Sequence, residues 1–200
     1  MNWGSVWLAK SWQTQGDGEF VVEKILIING SPRKGNTEAL ASAFAQGAEE
    51  AGHKVSQLRL RELYIHPCTG CMLCQQKKGN PCLQTDDMNK VYEEITSADV
   101  VVFASPVYWM YFTGLFKVML DRLYALAPYG IGKKEAVLLM AAATDDDFIF
   151  SQVRPYYEKV LVQNLGWTNR GEILAKGVTA LGEAEKTRYV QDAYMLGKSI

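Results

Sequence analysis

Ile25-Leu26-Ile27-Ile28-Asn29-Gly30-Ser31-Pro32-Arg33-Lys34-Gly35-Asn36-Thr37 is the stretch that decides the fold. Ile25 to Ile28 form an unbroken, partly β-branched apolar run, the pattern of a parallel strand covered on both faces. Beyond it Thr37, Leu40, Ala41, Phe44, Ala45 and Ala48 recur at helical spacing, so Asn36 or Thr37 stands in the first turn of a helix. Unpaired amides and the positive end of the helix dipole favour an anion there. Ser31, Asn36 and Thr37 add neutral donors, Arg33 adds a charged fork, and Gly35 gives the loop room to turn. An ordinary strand-to-helix turn is the plainer alternative.

Which phosphate such a loop takes follows from what it lacks. Gly30-x4-Gly35-Asn36-Thr37 comes within one residue of a nucleoside-triphosphate loop, but Asn36 replaces the lysine that meets the β- and γ-phosphates. The dinucleotide pattern G-x-G-x-x-G fails as well, because Ser31 and Pro32 follow Gly30. A terminal monophosphate fits best.

The 200 residues suit one domain, read as residues 23–200 behind an N-terminal extension of residues 1–22. That extension holds three of the five tryptophans, Trp3, Trp7 and Trp12, and reads either as an arm that docks its indoles or as sequence without a structural role. A net charge of -1 and the lack of a basic stripe argue against nucleic acid. The chain shows no membrane-spanning apolar run and no secretory signal, so the expected location is the cytoplasm.

Strand and helix patterns alternate along the rest. Strands are expected at 25–28, 54–60, 99–105, 135–143 and 171–178, and helices from about 36, 86, 113, 148 and 184. Asp86 or Asp87 is placed to cap the second helix, and the aspartates Asp145 to Asp147 the fourth. Five such units imply an α/β three-layer sandwich around a parallel sheet in the order 2-1-3-4-5. The ligand crevice then lies at the carboxyl ends of the first and third strands. There the phosphate loop faces Pro106-Val107-Tyr108-Trp109-Met110-Tyr111-Phe112, an aromatic segment suited to a flat ring. His53 and His66, the only histidines, are expected at the surface.

These motifs carry a resemblance. GSPRKGNT, C-x2-C-x2-C, DDM, AD-x-VVFASPVYW and G-x2-K-x3-DR occur in order between about residues 24 and 126, and are similar to the flavodoxin-like NAD(P)H-dependent FMN reductase family, above all to its iron-sulfur flavoprotein branch. The resemblance implies that Ser31, Arg33, Gly35, Asn36 and Thr37 hold the FMN phosphate, and that Pro106, Val107, Tyr108 and Trp109 flank the isoalloxazine. It also implies NAD(P)H as substrate and a homodimer or higher homo-oligomer. Lys117, Asp121 and Arg122 read as structural; adjacent Asp121 and Arg122 diverge on a helix, so each needs another partner.

Cys68-x2-Cys71-x2-Cys74-x7-Cys82 leaves three readings open. Four thiolates suit a [4Fe-4S] cluster or zinc, and three thiols within seven residues also suit reduced structural or redox-active cysteines. The expected function is an FMN-dependent NAD(P)H oxidoreductase that reduces a small acceptor such as a quinone, flavin, azo or nitro compound. No catalytic side chain is expected, because the cofactor carries the chemistry; Tyr108, Trp109, Tyr111 and Phe112 are expected to shape the acceptor pocket. The rivals are an iron-sulfur electron carrier serving a ferredoxin-like partner and a non-catalytic flavin-binding module. A phosphoryl receiver is disfavoured, since Asn29-Gly30 ends the first strand where acidic metal ligands are needed.

Overall fold

The computed structural model describes residues 21–76 and 81–200, so the tryptophan-rich extension lies outside the described residues up to position 20. Five strands, β1 (Lys24–Asn29), β2 (Lys54–Arg59), β3 (Val100–Pro106), β4 (Glu135–Ala141) and β5 (Thr168–Ala175), form one parallel sheet in the order β2-β1-β3-β4-β5. This is the flavodoxin-like arrangement. Strands β1, β3 and β4 are buried almost end to end, which is why they read as continuous apolar runs.

Helices α1 (Asn36–Glu50) and α5 (Arg188–Lys198) cover one face; α2 (Met88–Ser97), α3 (Gly114–Arg122) and α4 (Val153–Tyr156) cover the other. Each face has its own apolar core: Leu40, Phe44 and Ala193 close over Ile25, Ile27 and Val102, while Met88, Val91, Phe116 and Tyr157 close over Leu26, Ile28 and Phe103. Among the described residues no helix is long and apolar enough to cross a membrane.

Three elements depart from the sequence expectation. β5 begins at Thr168, where the expected strand began at Gly171. It is an edge strand whose first half, Thr168 to Arg170, is polar, and a register shift opposite Ala136 and Val137 breaks its alternation. The expected helix from Phe148 divides into a 3-10 turn (Asp147–Phe150), α4, and a π-helical continuation (Tyr157–Gln163). The expected helix from Ala184 begins as a 3-10 turn and restarts at Thr187, whose hydroxyl accepts from the Tyr189 amide.

Candidate functional site

The carboxyl ends of β1 and β3 are tied together. The Gly30 amide donates to Ala104 O at 2.8 Å, and the Thr113 hydroxyl, at the start of α3, donates to Gly30 O at 2.7 Å. Gly30 itself packs against Phe116: a Cβ there would lie 2.4 Å from Phe116 Cδ2. The glycine is therefore required by close approach, and its position fixes where the following loop begins.

That loop leads into an uncapped helix. Gly35 occupies the N-cap of α1 and supplies no side-chain acceptor, whereas α3 is capped by Thr113 and α5 by Thr187. The amides of Asn36, Thr37 and Glu38 have no hydrogen-bond partner among the described residues, and neither does the hydroxyl of Thr37, which is only 2% exposed. Three amides and a hydroxyl converging at the positive end of a fifteen-residue helix form an anion cradle. Glu38 does not spoil it. Burial works against its carboxylate, but the Arg59 and Arg61 guanidiniums, at 2.7 and 2.9 Å, outweigh that and hold its pKa below the ordinary value.

The other residues of the loop have divided roles. Ser31 donates its hydroxyl to Arg33 O at 2.7 Å and its amide to Asn29 Oδ1 at 2.9 Å, so it shapes the turn. Arg33 spends one nitrogen on Thr179 O at 2.9 Å and keeps the rest of its fork exposed. The Asn36 side chain corrects the sequence reading. Its amide donates to Val178 O and Ala180 O and accepts from the Ala184 amide, so only its backbone N–H is left for a ligand. The segment 178–184 was missed in the sequence, since it carries no motif. It clamps the loop between β1 and α1 through Asn36 and Arg33, and Leu181 Cδ2 lies 3.0 Å from the point where a Gly35 Cβ would be.

Across the crevice, Pro106 to Thr113 folds as a tight hairpin. Tyr108 and Tyr111 exchange both backbone hydrogen bonds at 3.0 Å, and Val107 is held by its amide to Ala141 O at 2.9 Å. Tyr108 is 47% exposed and Trp109 100% exposed. Among the described residues nothing covers the Trp109 ring, and Tyr108 is half exposed. Phe112 is the exception and corrects the expected acceptor pocket: it is buried and stacks on Phe116 at 4.7 Å, so it belongs to the core. Tyr111 packs on Tyr156 at 5.0 Å, and burial against that ring raises its phenol pKa above the ordinary value.

A family description, NADPH-dependent FMN reductase, matches residues 23–148, the span that holds both walls of this crevice. The chain belongs to that family. Similar proteins include an iron-sulfur flavoprotein of Archaeoglobus fulgidus, 39% identical over 99 residues that make up 50% of this chain and 48% of the relative. Another is an iron-sulfur flavoprotein of Methanosarcina thermophila, 34% identical over 100 residues, 50% of this chain and 51% of that one. The chain spans about half the length of these curated relatives. Among solved structures, an NAD(P)H:quinone oxidoreductase from Methanothermobacter marburgensis superposes with a TM-score of 0.74 at 21% identity, covering 90% of this chain and 96% of that one. An azoreductase from Bacillus anthracis gives 0.70 at 18% identity, covering 90% and 100%. At these identities the likeness is one of fold.

The four cysteines lie at different depths. Cys68 and Cys71 are exposed, Cys74 is half-buried, and Cys82 sits in the core beneath α2 at 9% exposure. Among the described residues no three Cys, His, Asp or Glu side chains are placed to hold a metal ion. The four-thiolate set of Cys68, Cys71, Cys74 and Cys82, one of three open readings, is not brought together among the described residues and is not favoured, with Cys82 lying inward as a small apolar side chain. His53 is a further correction: it is buried, with Nδ1 accepting the Glu23 amide at 3.2 Å, while His66 is exposed as expected. Lys117 pairs with Asp121, and Arg122 with Asp86 at 2.7 Å, which gives each charge of that helix the separate partner it needed.

Proposed function

We propose that this chain is an FMN-dependent NAD(P)H oxidoreductase that hands electrons from a nicotinamide to a small flat acceptor. The observation that carries the reading is the open cradle of the Asn36, Thr37 and Glu38 amides with the Thr37 hydroxyl, whose donors at a helix N-terminus suit a terminal monophosphate. Bound FMN supplies the redox chemistry, accepting a hydride from one substrate and releasing electrons to the next.

The protein's own part is to hold and to expose. The first turn of α1 and the free donors of Arg33 grip the phosphate, charge-assisted on the arginine side. With the Val107 amide and both backbone groups of Tyr108 already bonded, the Val107 carbonyl is the polar edge this turn offers to a flat ring, and the hydrogen bond from Thr113 to Gly30 ties the two walls together. A quinone, flavin, azo or nitro compound fits the exposed aromatic hairpin as acceptor, a choice supported by the quinone and azo chemistry named for the structural neighbours.

The test is the absorbance spectrum of the purified protein together with NADPH oxidation in the presence of an artificial acceptor. Flavin bands that bleach with NADPH and return with acceptor are expected. A protein that binds FMN but never bleaches would reduce the reading to a flavin-binding module.

A further inference from the structure

The tip of the hairpin breaks a rule of local sequence. Trp109 and Met110 both have left-handed backbone, φ 50° and 61°, in a two-residue loop between Tyr108 and Tyr111. This is the type I′ geometry that favours Asn-Gly, Asp-Gly or Gly-Gly, because each central residue needs positive φ. A bulky indole followed by a thioether is a poor choice there, and side chains forced into this region persist where the surroundings over-determine them, most often at functional sites. Here the surroundings do so. The stem is fixed by the Tyr111 ring on Tyr156 at 5.0 Å, by its edge contact with Phe112 at 5.8 Å, and by Thr113 bonded to Gly30. Among the described residues the tip gains nothing from it, for Trp109 is 100% exposed and has no ring partner there.

We infer that Trp109 is a specificity-determining residue: the strained turn presents its flat face, already ordered, as a stacking platform for the aromatic ring of the electron acceptor. The flavin-flanking role that the family resemblance implies then falls to Pro106, Val107 and Tyr108, and Trp109 acts on the second ring to enter the crevice. A rigid indole loses little freedom on stacking, which is what makes it worth holding in a strained pose. This inference rests on the reading that the crevice holds FMN.

The test uses the full chain and three variants, with menadione as the flat acceptor and ferricyanide as one that needs no stacking. Trp109→Asn with Met110→Gly restores the favoured turn pair, and should raise the thermal midpoint by about 3 °C or more as strain is released. Trp109→Leu keeps the strain and removes the flat ring. Both should weaken equilibrium binding of menadione about tenfold or more, and lower its kcat/KM relative to that of ferricyanide by a similar factor. Trp109→Phe should restore most of the menadione affinity. The inference is overturned if Trp109→Leu binds menadione as the unaltered protein does, or if the double variant is no more stable. It is overturned equally if Trp109→Leu dissociates an oligomer with menadione affinity intact, which would make a second copy of the chain the occupant. If the unaltered protein reduces neither acceptor with NADPH, the reductase reading falls, while the thermal and binding measurements still decide the role of Trp109.

Discussion

Single atoms fix the crevice. Gly30 is the clearest case, since a methyl group there meets Phe116 Cδ2 at 2.4 Å, and Phe116 is itself buried and stacked on Phe112. Gly30→Ala should cost about 1–3 kcal/mol by overpacking, read as a lower urea midpoint, and should weaken FMN binding by displacing the start of the loop; unchanged stability would mean that Phe116 yields freely. The donors proposed to grip the phosphate give a second expectation. Arg33→Ala combined with Thr37→Ala should release FMN by removing a charge-assisted and a hydroxyl bond, about tenfold or more in Kd at roughly 1.4 kcal/mol per decade. An equilibrium titration in which the double variant holds FMN undiminished would move the phosphate elsewhere. At this scale the sequence was only half legible. Thr37 and Arg33 could be read because their types and spacing announce an anion site, but nothing local announces that the Asn36 side chain turns inward to three backbone groups more than 140 residues away.

Elements are joined by a few contacts that tolerate little change. α1 and α5 cross at glycines, a Cβ on Gly47 falling 2.1 Å from Tyr194 O and one on Gly197 the same distance from Phe44 O. On the opposite face Arg122 of α3 and Asp86 before α2 form an ion pair whose side chains are 1% and 0% exposed. The Asp86 carboxylate also accepts the His66 and Met88 amides, so the pair staples the cysteine-bearing loop to two helices. Burial opposes the Asp86 charge, but the Arg122 guanidinium and those two amides outweigh it and hold its pKa below the ordinary value. A carboxylate with a depressed folded pKa stabilises the fold above its unfolded pKa, and that contribution is lost as pH falls through the folded value. Stability should therefore drop below about pH 4, and Asp86→Asn should flatten that drop while costing about 3–5 kcal/mol at neutral pH by leaving Arg122 buried and unpaired. Urea midpoints across pH check both, and an unchanged acid limb in Asp86→Asn would contradict the assignment. The sequence could say that Arg122 needed a partner other than Asp121; it could not say which. β5 was misplaced by three residues because an edge strand with a polar first half lacks the apolar run that marked β1, β3 and β4.

Over the whole molecule, the alternation of doubly buried strands with amphipathic helices was enough to order the sheet, since right-handed crossovers leave few arrangements for five parallel strands. The cysteine spacing was not enough, because burial decides where each sulfur goes. Native protein purified without oxygen should show three thiols that react quickly with a disulfide reagent and a fourth, Cys82, that reacts only on unfolding; about four irons and protected thiols per chain would restore the cluster. The central claim is that a phosphate, not merely a ring, anchors the ligand at the start of α1. Riboflavin is FMN without that phosphate, so the most direct measurement is the ratio of their dissociation constants for the unaltered protein. The account predicts that FMN binds about a hundredfold or more tighter, a difference of about 2.7 kcal/mol or more; equal affinity for the two would contradict it.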